Sequence, residues 1–251
     1  MLFELILEEE RKEHLHHLAI LGTVSAFFGF FLAYIFLPTQ IGVLSTVFAS
    51  LPLVYPLMAR IHAREKEGAP YYREIKEYAS LFFGEVLGFF ILGIVFTNEF
   101  ALQITRFNQH LARLEITGYA THTTCFLCIL LNNMFLFGGI IIVSMLIGSA
   151  GAFILTWNAS VLGVFLAILT EQLSGGLKTK LLGTEKIPGP LLYAPHTTLE
   201  MSGFIIAGIA GSLMSAALYR RHFDVKTWKN YTKLVSIGLL LILAGAIVET
   251  I

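Results

Sequence analysis

The chain has 251 residues, 56% hydrophobic and 14% charged, and its 17 basic and 17 acidic side chains give a formal net charge of +0. So apolar a balance excludes an ordinary soluble domain and points to a polytopic membrane protein whose first partner is the lipid bilayer. The absence of net positive charge removes the electrostatic footprint of a nucleic-acid binder.

The N-terminus, Met1 to Lys12, carries Glu4, Glu8, Glu9 and Glu10, the wrong charge for a secretory signal, and reads as a short amphipathic interfacial helix. Leu18 to Leu37 is an uninterrupted apolar run ending at Pro38, long enough to cross roughly 30 Å of hydrocarbon. Ile41 to Met58 is a second span, with Pro52 and Pro56 predicting a kink near its end. Charges from Arg60 to Tyr78 then predict a solvated loop with a helical second half. Ala79 to Thr97 is a third span, holding Glu85 and the close-approach spacing Gly84-x-x-x-Gly88. Between Asn98 and Thr123 the apolar residues recur at threes and fours among polar ones, which suits a helix lying in the interface.

Thr124 to Leu146 and Gly151 to Thr170 are the fourth and fifth spans, and the tight link between them predicts antiparallel neighbours. Cys125 and Cys128 open the fourth span with no second cysteine pair, so they read as packing residues rather than a redox or metal motif. A Gly- and Pro-bearing loop from Leu173 to Ala194 leads to a sixth span, His196 to Tyr219, and Leu234 to Ile251 makes a seventh. The expectation is an all-α bundle of about seven transmembrane helices, six if one fails to cross, with interfacial amphipathic helices. It forms one integral membrane domain over 1–251, with 1–60 as an N-terminal helix and two-span addition and 79–251 as the core. Lysines and arginines bias the N-terminus and the basic turns to the cytoplasm, making this a multi-pass protein of the cell membrane.

Chemistry would reside in the polar residues of the spans. Pro195 is placed in the first turn of the sixth helix, and His196 and Glu200, four apart, share one face at its mouth. Asn132 and Asn133 lie about 12 Å into the fourth span, and Asn158 lies near the middle of the fifth. Depth thus allows Asn132 or Asn133, Glu200 and His196 to meet in one polar chamber with Glu171 and Gln172 at its rim. Adjacent asparagines point about 100° apart, so at most one looks straight at a partner helix. Glu85, an ionisable group inside a span, is a functional candidate by default, although pairing with a Ser or Thr would account for it structurally. The other polar residues also have a structural reading, as interhelical hydrogen bonds. Gly203, Ala207, Gly211 and Ser215 form a small-residue ridge on the sixth helix, fitted for another backbone within the bundle or in a second protomer, with Gly138, Gly139 and Gly163 as natural counterparts.

Leu131-Asn132-Asn133 in an apolar run, Asn158 two turns into the next span, and Pro195-His196-x-x-x-Glu200 followed by Ile206-Ala-Gly-Ile-Ala-Gly211 together resemble the stage II sporulation protein M family over about Ala79 to Ile251. Two positions depart from it: Ala159 and Thr197 stand where the family usually has glycine. The resemblance implies a polytopic membrane protein whose best-known relative is a scaffold for peptidoglycan-degrading partners. It implies no catalytic residue and no cofactor.

Three function classes follow. The first is a membrane scaffold or remodelling component, with cell-envelope proteins or a homo-oligomer as partners. The second is a permease or channel for a small ion or solute, with Glu85, Asn132, Asn133, Asn158 and Glu200 along its path. A metal-dependent hydrolase ranks last: His196 and Glu200 would be two ligands, and only His122 and His110 are at hand to complete the set.

Overall fold

Long apolar runs with their backbone hydrogen bonds satisfied internally leave the helix as the natural element in lipid, and the described residues of the computed structural model carry seven α-helices and no strand. Those residues are 15–67, 72–100, 104, 122–148, 151–173, 190–221 and 224–250. The helices are α1 Leu15–Phe36, α2 Ile41–Glu67, α3 Tyr72–Val95, α4 His122–Ile147, α5 Gly151–Leu173, α6 Pro190–Arg220 and α7 Val225–Thr250. A 3-10 turn, Thr97–Phe100, follows α3. The expected N-terminal amphipathic helix and nearly all of the expected interfacial segment before α4 lie outside the described residues.

Five helices, α1, α3, α4, α6 and α7, contain stretches long and apolar enough to cross a membrane, while the apolar parts of α2 and α5 are shorter, Ile41–Val54 and Ala152–Ile168. Several boundaries differ from the sequence expectation. α2 runs through Pro52 and Pro56 to Glu67, so much of the supposed charged loop is helix. α6 begins at Pro190, which takes the helix-start position expected for Pro195, and His196 therefore lies well inside it. α7 begins nine residues before Leu234 because Asp224 caps it, its Oδ1 accepting from the Thr227 amide at 2.7 Å.

Two helix groups make up the bundle. In the first, α1 packs on α2 and α3, and α3 on α5. Glycines set these crossings: a side chain on Gly84 would strike the Ala19 backbone, and one on Gly22 would strike the Leu81 backbone. Gly88 faces Ala26 and Thr23, and the Thr23 hydroxyl donates across the same crossing to the Gly84 carbonyl at 2.9 Å. Gly163 of α5 meets Val86 and Phe89 of α3. The matched residues climb together, so α1, α3 and α5 run parallel. Phe30, Phe89 and Phe100, all fully buried, close one end of this group, with Phe96 against Phe30.

In the second group, α6 packs on α4 and α7. Gly211 meets Ile141 and Ser144 of α4, whereas Gly203 meets Ile242 and Gly238 of α7, so α4 runs parallel to α6 and α7 antiparallel. α4 and α5 are joined through Gly148, whose φ of 71° is a left-handed helix end suited to glycine. Contrary to expectation, they then diverge: α4 packs on α6 and α7, and α5 packs on α3 and α2. The starts of α1, α3, α5 and α7 thus lie on one face, here called proximal, and those of α2, α4 and α6 on the distal face. α6 is the central helix and mostly buried, while α4 lies at the edge with most of its surface exposed.

Candidate functional site

Glu200 sits on α6 about 15 Å from Pro190, in the distal half of the bundle, and is buried to 9% exposure. Its Oε1 accepts a hydrogen bond from Nδ2 of Asn133 on α4 at 2.5 Å, and Asn133 is itself buried at 7%. The reason only one asparagine takes part is helical geometry: Asn133 shares the inward seam of Phe137, Ile140 and Ser144, while Asn132 points away and is exposed. The chamber expected around Glu200 therefore includes Asn133 and omits Asn132.

Two further residues complete this cluster, and both come from α7. Gly245 lies beside the stem of Glu200, where a β-carbon would come within 2.7 Å of Glu200 Cγ. Its missing side chain is the space into which the acid folds. Glu249, one turn on, makes a side-chain hydrogen bond with Glu200. Pairing Glu200 with Gly245 across the antiparallel crossing also brings Glu249 level with His196. His196 is buried at 9% exposure, and its Nε2 lies 3.3 Å from the Thr197 hydroxyl, at the position where the family usually has glycine. The cluster is thus formed by α4, α6 and α7.

Glu85 occupies a separate site in the other helix group. It is 2% exposed on α3 and accepts a hydrogen bond from the Thr156 hydroxyl of α5 at 2.7 Å. Thr156 is just past the start of α5, so this contact lies toward the proximal face, opposite to Glu200. Among the described residues no hydrogen bond joins the two acids. Asn158 joins neither: it is half-buried, and its amide donates to the Ile154 carbonyl of its own helix at 2.7 Å. The neighbouring Ala159 is fully buried.

Of the remaining candidates, the side chains of Glu171, Gln172 and His122, and all of His110, lie outside the described residues. Among the described residues no three His, Cys, Asp or Glu side chains come together as a metal requires, so the His196 and Glu200 pair gains no third ligand there. The ridge of α6 turns as it climbs. Gly203 faces α7, Gly211 faces α4, Ala207 is fully buried between them, and Ser215 is half-buried. Gly138 and Gly139 have no neighbour within 4 Å where a β-carbon would stand, and Gly163 serves α3, so none of the three is the ridge's counterpart.

Sequence reading missed Thr156, Gly245 and Glu249. Thr156 is silent, since a threonine in an apolar run is unremarkable until its partner is known. Glu249 had a usable signal: α6 and α7 flank a short turn, and residues at similar distances from such a turn come level in an antiparallel pair.

The family model for stage II sporulation protein M matches residues 18–251. This range takes in α1 and α2 as well as the motif-bearing helices. No curated protein and no solved structure matches the chain.

Proposed function

The chain belongs to the stage II sporulation protein M family, and from that premise we propose that it is an integral membrane scaffold whose buried acids tie helices together. The observation that carries this reading is the use made of the acids. Glu85 is bound to Thr156 and Glu200 to Asn133, each across a helix interface, in opposite halves of the bundle. A permeation path would need the polar side chains to follow one another through the protein. Instead Asn132 faces outward, Asn158 turns back on its own helix, and small-residue crossings fill the space between. With the N-terminus in the cytoplasm, as the basic turns favour, the Glu200 cluster lies toward the outer face, where cell-envelope partners would be met.

Reconstitution tests the reading against transport. Vesicles containing the wild-type protein should be as tight to protons and sodium as empty ones, and Glu200→Gln should lower the unfolding temperature while folded protein keeps its membrane partners in a pull-down. Ion flux through wild-type vesicles that Glu200→Gln abolishes would overturn the scaffold reading in favour of a permease.

A further inference from the structure

The outer side of α4 carries a second seam that the bundle does not use. Its inner seam, Asn133, Phe137, Ile140 and Ser144, is buried against α6 and α7. Roughly 180° round the helix, Cys128, Asn132, Phe135, Gly139, Ile142 and Leu146 follow one another at alternating spacings of four and three. That is the spacing at which two helices supercoil with left-handed crossing. Cys128 and Asn132 are exposed, Phe135 is 86% exposed, Ile142 54% and Leu146 72%. At Gly139 nothing lies within 4 Å of a β-carbon position, leaving the backbone open to approach.

An exposed apolar face alone would be covered by lipid, as would the outer faces of α1, α3 and α7. Asn132 makes α4 different. It lies about 9 Å inside the apolar stretch that begins at Phe126, and it is the only exposed amide among the described residues of the five spanning-length helices. Among the described residues its side chain makes no hydrogen bond. Acyl chains offer it neither donor nor acceptor.

We propose that this seam pairs with α4 of a second copy of the chain, Asn132 against Asn132, in a parallel two-fold interface. An amide is both donor and acceptor, so two of them satisfy each other reciprocally. Copies inserted with the same topology present parallel α4 helices with Asn132 at the same depth. The membrane therefore supplies the register that a soluble pair would have to find, and the two-fold places like residues opposite one another. The pairing stands independently of the scaffold reading, since a dimeric permease would use the same face.

Cys128, on the same seam one turn before Asn132, is a native probe, because paired seam positions bring α-carbons within disulfide range. With Cys125→Ala as background, mild oxidation in native membranes should give a disulfide-linked species of twice the chain mass. Asn132→Leu should lower its yield roughly three- to tenfold, and Gly139→Leu should do likewise, with the elution of the detergent-solubilised monomer unchanged. A cysteine at Ile94, exposed on α3, serves as the control for random collision. A Cys128 yield no higher than that of Ile94→Cys, indifference to Asn132→Leu, or a cross-link to a chain of another mass would overturn the proposal.

Discussion

The two helix groups of this bundle are held by different means. In α1, α2, α3 and α5 the work is done by close backbone contact: Gly22, Gly84 and Gly163 admit a neighbouring helix where a β-carbon would collide, and of the acids buried on α3, Glu74, Glu77 and Glu85, the last accepts from the Thr156 hydroxyl across to α5. In α4, α6 and α7 only α6 is enclosed, and a polar cluster of Asn133, Glu200 and Glu249 spans all three helices. The difference follows from how much apolar contact each helix has. Lipid tails are as apolar as leucine, so helix association in a bilayer depends on tight packing and interhelical hydrogen bonds. An edge helix such as α4, with one packed seam, draws proportionally more of its attachment from hydrogen bonding.

Breaking the first group should have the largest effect. Gly84→Leu drives a side chain into the Ala19 backbone, which has nowhere to go while Gly22 holds α1 on α3 from the other side. A loss of about 3 kcal/mol or more is expected, enough to abolish recovery of folded protein from membranes. Phe100→Ala should cost about 3 kcal/mol by emptying the aromatic end formed with Phe30 and Phe89, which a thermal melt in mild detergent would register.

Breaking the polar cluster should cost less. Asn133→Ala leaves the buried Glu200 carboxyl without its amide donor, for a loss of about 1–3 kcal/mol. Limited proteolysis should then find α4 released before α1 or α3, and release of α1 first would mean that Asn133 supports the whole bundle. Thr156→Val, the matching change beside Glu85, should cost about 1 kcal/mol, because the parallel packing of α3 and α5 remains. The smallest effect belongs to Gly139→Ala, at most about 0.5 kcal/mol on monomer stability, since an added β-carbon enters open space.

Much of this arrangement is legible in sequence, and the parts that are not have identifiable causes. Depth arithmetic on apolar runs puts Asn133 and Glu200 in the same half of the bundle, and the 100° step between adjacent residues admits only one asparagine to the interface, but it takes helix rotation to show which. The neighbour relations are harder. A short link through Gly148 predicts α4 beside α5, yet α4 and α5 diverge to different partners, because which face is buried against which depends on side-chain fit distributed over several helices. The start of α6 is misplaced for a local reason: two prolines, Pro190 and Pro195, both suit a first helical turn, and the earlier one holds that position. Glu249 escapes notice because an acid near a helix end reads as a solvated flank until the antiparallel return of α7 sets it beside Glu200.

The central claim is that Glu85 and Glu200 belong to separate interhelical ties and not to one polar path, and a double-mutant cycle addresses it directly. Unfolding free energies would be measured in bicelles for Glu85→Gln, Asn133→Ala and the double variant. Separate ties predict that the two losses add to within about 0.5 kcal/mol, whereas an interaction energy above about 1 kcal/mol would place both acids in one connected network and contradict the account.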